Sequence, residues 1–102
     1  MGKNSDIESA SNSLSKTILH EILVDYTNRK ESVPKLKKEA VEYRNQSLKK
    51  INRLNLNDED KRLIRKKVIK KIQDDLKQKY ADVSVPKEVI VDKVNEEIGS
   101  FS

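Results

Sequence analysis

Apolar residues recur every three or four positions along most of this chain, and little else in it is apolar. Leu14, Ile18, Leu19, Ile22, Leu23 and Tyr26 form one such series. Leu36, Ala40, Tyr43, Ser47, Ile51 and Leu54 form a second, with Val41 and Leu48 beside it. Ile64, Val68, Ile69, Ile72, Leu76 and Tyr80 make a third, and Val89, Ile90, Val94 and Ile98 a fourth. A helix with 3.6 residues per turn gathers each series onto one face, whereas a half-buried strand would alternate at every second residue. The spacing therefore predicts an all-α fold: a small bundle of three long helices plus a shorter C-terminal helix. Short connections between them favour antiparallel neighbours.

Cap and stop residues fall between the series. Ser13 stands where a first helix would take its N-cap, and Thr27-Asn28 weakens the pattern so that this helix should end near Arg29 or Lys30. Ser32-Val33-Pro34 opens the second, because proline is tolerated in a first helical turn. Asn55-Leu56-Asn57 breaks it. Asn57 then caps the third helix, and Asp58, Glu59 and Asp60 in its first turn complement the helix dipole. That helix should run to about Tyr80. Val83 and Val85 alternate with polar residues, as in a short extended piece. The last helix should span Pro86 to Ile98, with Gly99 as its stop. Residues 1–12 are polar and rich in Ser and Asn, which predicts a disordered N-terminal tail ahead of a single helical domain at 13–102.

Hydrophobic residues make up 34% of the chain, charged residues 38% and aromatic residues 4%, so the core must be aliphatic and thin. A thin core with unpaired stripes motivates the expectation of a homodimer. Cysteine is absent, which excludes disulfides, thiolate nucleophiles and Cys-based zinc sites and fits a reducing compartment. No apolar run is long enough to span a membrane. A cytoplasmic protein is expected, or a nuclear one in a eukaryote, with no membrane partner.

Catalytic motifs fail one by one. Glycine occurs only at Gly2 and Gly99, so no phosphate loop or dinucleotide turn can form. His20 is the single histidine and reads as a surface or boundary residue beside Lys16, Thr17, Leu23 and Val24. The acids at 58–60, 74–75 and 96–97 are adjacent in sequence and read as caps and solubilising charge. The first trio also lacks calcium-loop spacing. The expectation is a non-enzymatic protein with no cofactor and no metal.

Charge supplies the one positive clue. Residues 32–56 carry net +5 and residues 57–80 net +4, while residues 1–31 carry −1 and residues 81–102 carry −3. Seven cations, Lys61, Arg62, Arg65, Lys66, Lys67, Lys70 and Lys71, crowd the third helix. Such a helix can lie along phosphates and neutralise several together, so the expected partner is DNA or RNA, held with weak sequence selectivity in a regulatory or accessory role. The alternative is a helical protein–protein interaction module or adaptor, binding for example an acidic protein, whose basic charge serves only solubility. A second basic cluster, Lys35, Lys37, Lys38, Lys49 and Lys50, lies on the helix before.

Three partial likenesses complete the reading. Lys77 to Asn95 resembles a helix-turn-helix, with Asp82 where that motif carries its turn glycine. Residues 82–98 resemble the strand and first helix of a ribbon-helix-helix module. The second, third and last helices resemble the medium, long and short order of a histone fold without its alanine-rich long helix. None of them carries a functional residue over to this chain.

Overall fold

The computed structural model of the chain describes residues 3–26, 30–54 and 56–99. Four α-helices follow one another: α1 (Lys3–Tyr26), α2 (Val33–Asn52), α3 (Asp58–Lys79) and α4 (Lys87–Gly99), with a 3-10 turn at Lys30–Ser32 before α2. The described residues contain no strand, so Val83 and Val85 are not paired in a sheet. They pack instead as partly buried side chains against the core.

The first helix departs most from expectation. It begins at Lys3, so residues 3–12 are helix and not tail, and Ser13 lies inside it rather than capping it. Ile7 is 1% exposed and Ala10 fully buried, which makes the predicted tail part of the core. The Ser-rich composition has a packing reason. Ser11, Ser13, Ser15 and Thr17 are all buried, and small side chains let neighbouring helices approach α1 on several sides. Their hydroxyls do not remain unpaired as a class. Ser15 Oγ donates to the Asn12 carbonyl at 2.8 Å, and Thr17 Oγ1 to the Ser13 carbonyl at 3.0 Å. Such back-bonding satisfies a buried hydroxyl inside its own helix. Ser11 Oγ is the exception, buried with no hydrogen-bond partner. The helix end expected near Arg29 or Lys30 is Tyr26 as far as α1 is described; residues 27–29 lie outside the described residues, as do 1, 2, 55 and 100–102.

α1 is the hub. α2, α3 and α4 all pack against it, while α2 and α3 share no backbone approach within 8 Å among the described residues. α2 runs antiparallel to α1, pairing Ser13 with Lys50, Thr17 with Ser47 and His20 with Glu39. At the middle pair the two hydroxyl oxygens lie 3.4 Å apart. Ser47 Oγ donates to the Tyr43 carbonyl at 2.9 Å, so each proton goes to its own helix and the contact between helices is one of close packing.

α3 begins as expected. Asn57 adopts extended backbone and forms a reciprocal capping box: Asp60 N–H donates to Asn57 Oδ1 at 2.8 Å, and Asn57 N–H to Asp60 Oδ2 at 3.1 Å. Ile64, Val68, Ile72 and Leu76 of α3 are buried, as are Ile90, Val94 and Ile98 of α4. Ser32 sits at the N-cap of α2 without a side-chain cap bond, ahead of Pro34. α4 lies antiparallel along α3, with Ile90 beside Leu76 at one end and Ile98 beside Arg62 and Arg65 at the other. The apolar stripes that motivated a homodimer are therefore used within one chain. Exposed large apolar side chains include Val41 at 59%, Leu63 at 39% and Tyr26 at 36%. No helix among the described residues is long and apolar enough to cross a membrane.

Candidate nucleic-acid interface

The burial of Ile64, Val68, Ile72 and Leu76 fixes which way α3 faces. At about 100° per residue, Arg62, Lys66, Lys70 and Lys77 fall within an arc of about 80° on the side away from that core. All four are exposed. Arg65, also exposed, lies about 60° outside this arc, on the side of α3 that meets α4. The helix carries its acids in the first turn, Asp58, Glu59 and Asp60, and Lys77 and Lys79 in the last. The stripe between them is cationic along roughly 20 Å of helix axis, from the 1.5 Å rise per residue.

Three of the seven expected cations are placed differently. Lys61 is half-buried at the foot of α3. Lys67 Nζ donates to Glu8 Oε2 at 2.7 Å, and Lys71 Nζ stands 3.3 Å from Glu8 Oε1. Glu8 belongs to the segment read as a tail, so nothing in the local pattern of α3 could reveal this clamp. The hydrogen bond from Lys67, then that from Lys71, holds the Glu8 carboxyl below the usual carboxylate range. The stripe that faces outward is thus narrower than seven residues, and Lys77 extends it at the far end.

A hollow of about 370 Å³ beside the stripe is lined by Arg62, Arg65 and Asn95 together with Asp58 and Lys61. Asn95 comes from α4, so only the α3–α4 packing brings this amide next to the two guanidinium groups. On the α2 side, Lys35, Lys37, Lys38, Lys49 and Lys50 are exposed. Lys50 Nζ nevertheless donates to Ser13 Oγ at 2.9 Å, and Lys35 lies 3.9 Å from Glu39.

His20 has more partners than its sequence neighbours suggested. Its Nδ1 faces the Lys16 carbonyl at 2.7 Å and its Nε2 faces Glu39 Oε2 at 2.8 Å. The ring tilts against Tyr43 with centroids 5.1 Å apart. Both ring nitrogens thus face acceptors, at a separate hollow of about 300 Å³ lined by His20, Glu39 and Ser32. One carboxylate read as solubilising charge, Glu97, is buried. Glu97 is 7% exposed with its Oε2 3.7 Å from Arg44 Nη2 of α2, and burial first, then the charge of Glu97, push the half-buried Glu21 carboxyl of α1 up to about 7. Helical spacing alone could not reveal this, because the three lie on different helices. No group of three or more His, Cys, Asp or Glu side chains among the described residues is placed to hold a metal ion.

No protein-family model, curated protein or solved structure matches this chain.

Proposed function

We propose that the chain binds nucleic acid through the outward stripe of α3, with Arg62, Arg65, Lys66, Lys70 and Lys77 on the phosphates. The observation that supports this most is the concentration of exposed cations on one helix: Arg62, Lys66, Lys70 and Lys77 on the side away from its buried aliphatic face, with Arg65 exposed toward α4. A rigid helix holds these charges at fixed spacing, so several phosphates can be neutralised without ordering a loop. The partner is read as duplex rather than single-stranded. Of the three tyrosines, Tyr43 is engaged by His20, and Tyr80 packs partly buried against the core. Among the described residues no aromatic platform for stacked bases accompanies the stripe. Lysines and arginines on phosphate position a protein without reading sequence, and Gln73 and Asn95 are the amides nearest the stripe. Weak sequence selectivity follows, which suits an accessory or regulatory role.

A second reading, docking of an acidic protein segment on the same face, has one observation in its favour. Leu63 stands 39% exposed beside Lys66 and Lys70, as an apolar anchor amid charge would. The variant Arg62→Gln, Lys66→Gln, Lys70→Gln, Lys77→Gln separates the possibilities. Glutamine has nearly the helix propensity of lysine, so the fold should persist. Gel-shift binding to a mixed-sequence duplex at low salt is expected for the wild type and lost for the variant. Absence of wild-type binding to any duplex would remove the nucleic-acid reading and leave the protein-docking one.

A further inference from the structure

Two neighbouring helices carry charge ladders of opposite sign that find no partner inside the chain. On α3, Arg62, Lys66 and Lys70 are exposed at steps of four residues. On α4, Glu88, Asp92 and Glu96 are exposed at the same steps. Among the described residues none of these six has an ion-pair partner in the chain, whereas Lys67, Lys71 and Lys93 are all paired. At about 100° per residue the acids fall within an arc of about 80° on the side of α4 away from the buried Ile90, Val94 and Ile98. The cations hold the same position on α3. In both ladders each charge follows the last by about 6 Å along the axis. The antiparallel packing also sets the ladders level. Asn95 and Ile98 share a hollow with Arg62 and Arg65, and Lys87 shares another with Gln73 and Lys77, so Asp92 stands at the height of Lys66 and Lys70.

We propose that the α3–α4 surface is a self-association face, on which a second copy of this chain lays its acidic α4 ladder along the basic α3 ladder and receives the reciprocal contact. A two-fold axis between the copies, parallel to the helices, exchanges α3 with α4 across the contact and leaves every residue at its own height. Arg62, Lys66 and Lys70 then meet Glu96, Asp92 and Glu88 of the second copy, and the same three pairs form again in reverse. A two-fold axis running across the helices would set α3 on α3, cation against cation. The charge pattern thus selects both the occupant and its orientation, through repulsion as much as attraction. Another acidic chain would leave the α4 acids unmatched.

The apolar stripes stay inside each chain, so this contact is polar and weak. Exposed ion pairs add little each, and the net charge of +5 on each copy opposes approach. A dissociation constant of roughly 0.1–1 mM is expected at low salt. The contact uses cations assigned above to phosphates but does not rest on that assignment, because it forms without nucleic acid. A duplex and a second copy compete for the stripe.

Sedimentation equilibrium of the full chain at about 1 mM, with no nucleic acid present, tests the proposal. In 50 mM salt the average mass should rise clearly above the 11.8 kDa monomer, toward twice that value. In 500 mM salt the screening length shrinks to about 4 Å, and the association constant should fall at least about tenfold. Two charge-reversed variants sharpen the test: Glu88→Lys, Asp92→Lys, Glu96→Lys in one, and Arg62→Glu, Lys66→Glu, Lys70→Glu in the other. Each should be monomeric alone in 50 mM salt. Their equimolar mixture should dimerise, since each supplies the ladder the other has lost. A monomeric wild type at low salt, undiminished self-association of either variant alone, or a monomeric mixture overturns the proposal. Should a variant lose its helix content, zero-length carbodiimide cross-linking of mixed labelled and unlabelled wild type decides. A link from Lys66 or Lys70 of one copy to Asp92 or Glu88 of the other supports the face, and the absence of any such link refutes it.

Discussion

Replacing Ile7 by alanine distinguishes a core helix from a tail. Ile7 is 1% exposed and sits in one cluster with Ala10, Leu14 and Ile18. The change removes three carbon groups, each worth about 0.8 kcal/mol of burial. Incomplete collapse of the cavity adds to that, giving about 3 kcal/mol in all. For 102 residues the unfolding entropy is roughly 0.2 kcal/mol per kelvin, so Tm should fall by about 14 °C. Thermal unfolding followed by circular dichroism measures this directly. A substitution in a disordered tail would shift Tm by no more than about 2 °C, from the ±0.5 kcal/mol typical of surface changes. A shift that small would refute the placement of Ile7 in the core.

Other perturbations follow from the same packing. Ser47→Leu forces a branched side chain against Thr17 where two helices touch, and should destabilise by about 1–3 kcal/mol in urea unfolding; a neutral result would mean the helices are not in close contact there. Asn57→Ala removes half of the capping box and should cost about 1 kcal/mol, read the same way. Glu8→Gln frees Lys67 and Lys71 for phosphate. It should steepen the log–log salt dependence of duplex binding from about −4.5 toward −6, at roughly −0.9 per added contact. The Glu8 clamp should also loosen in acid. Its carboxyl is held low by Lys67 and Lys71, so the contribution is present above 4.5 and disappears as pH falls through the lowered value, which hydrogen exchange of residues 5–12 would report.

The helices of this fold were legible because each carries its own information. Asn57 with three acids behind it announces α3, and Pro34 announces α2, from chemistry within one turn. α1 misled because it is the central helix. Its neighbours demand small residues, and Ser9, Ser11, Asn12 and Ser13 look in isolation like a solvated tail. A serine whose hydroxyl bonds back to its own helix is compatible with a core, but only packing reveals which serines do so. The interface was legible in part for a related reason. Helical periodicity places Arg62, Lys66 and Lys70 on one side of α3, yet the pairing of Lys67 and Lys71 with Glu8 spans almost sixty residues of sequence. Arg44 and Glu97 also meet across a long separation, so the burial of Glu97 leaves no mark in its local pattern.

The salt dependence of duplex binding bears most directly on the function proposed. Five exposed cations, Arg62, Arg65, Lys66, Lys70 and Lys77, should release counterions on binding, each contributing about −0.9 to the slope of log affinity against log salt. A slope near −4.5 for the wild type, nearly the same for duplexes of unrelated sequence, is the expected result. A slope near zero, or no binding at low salt, would contradict the account.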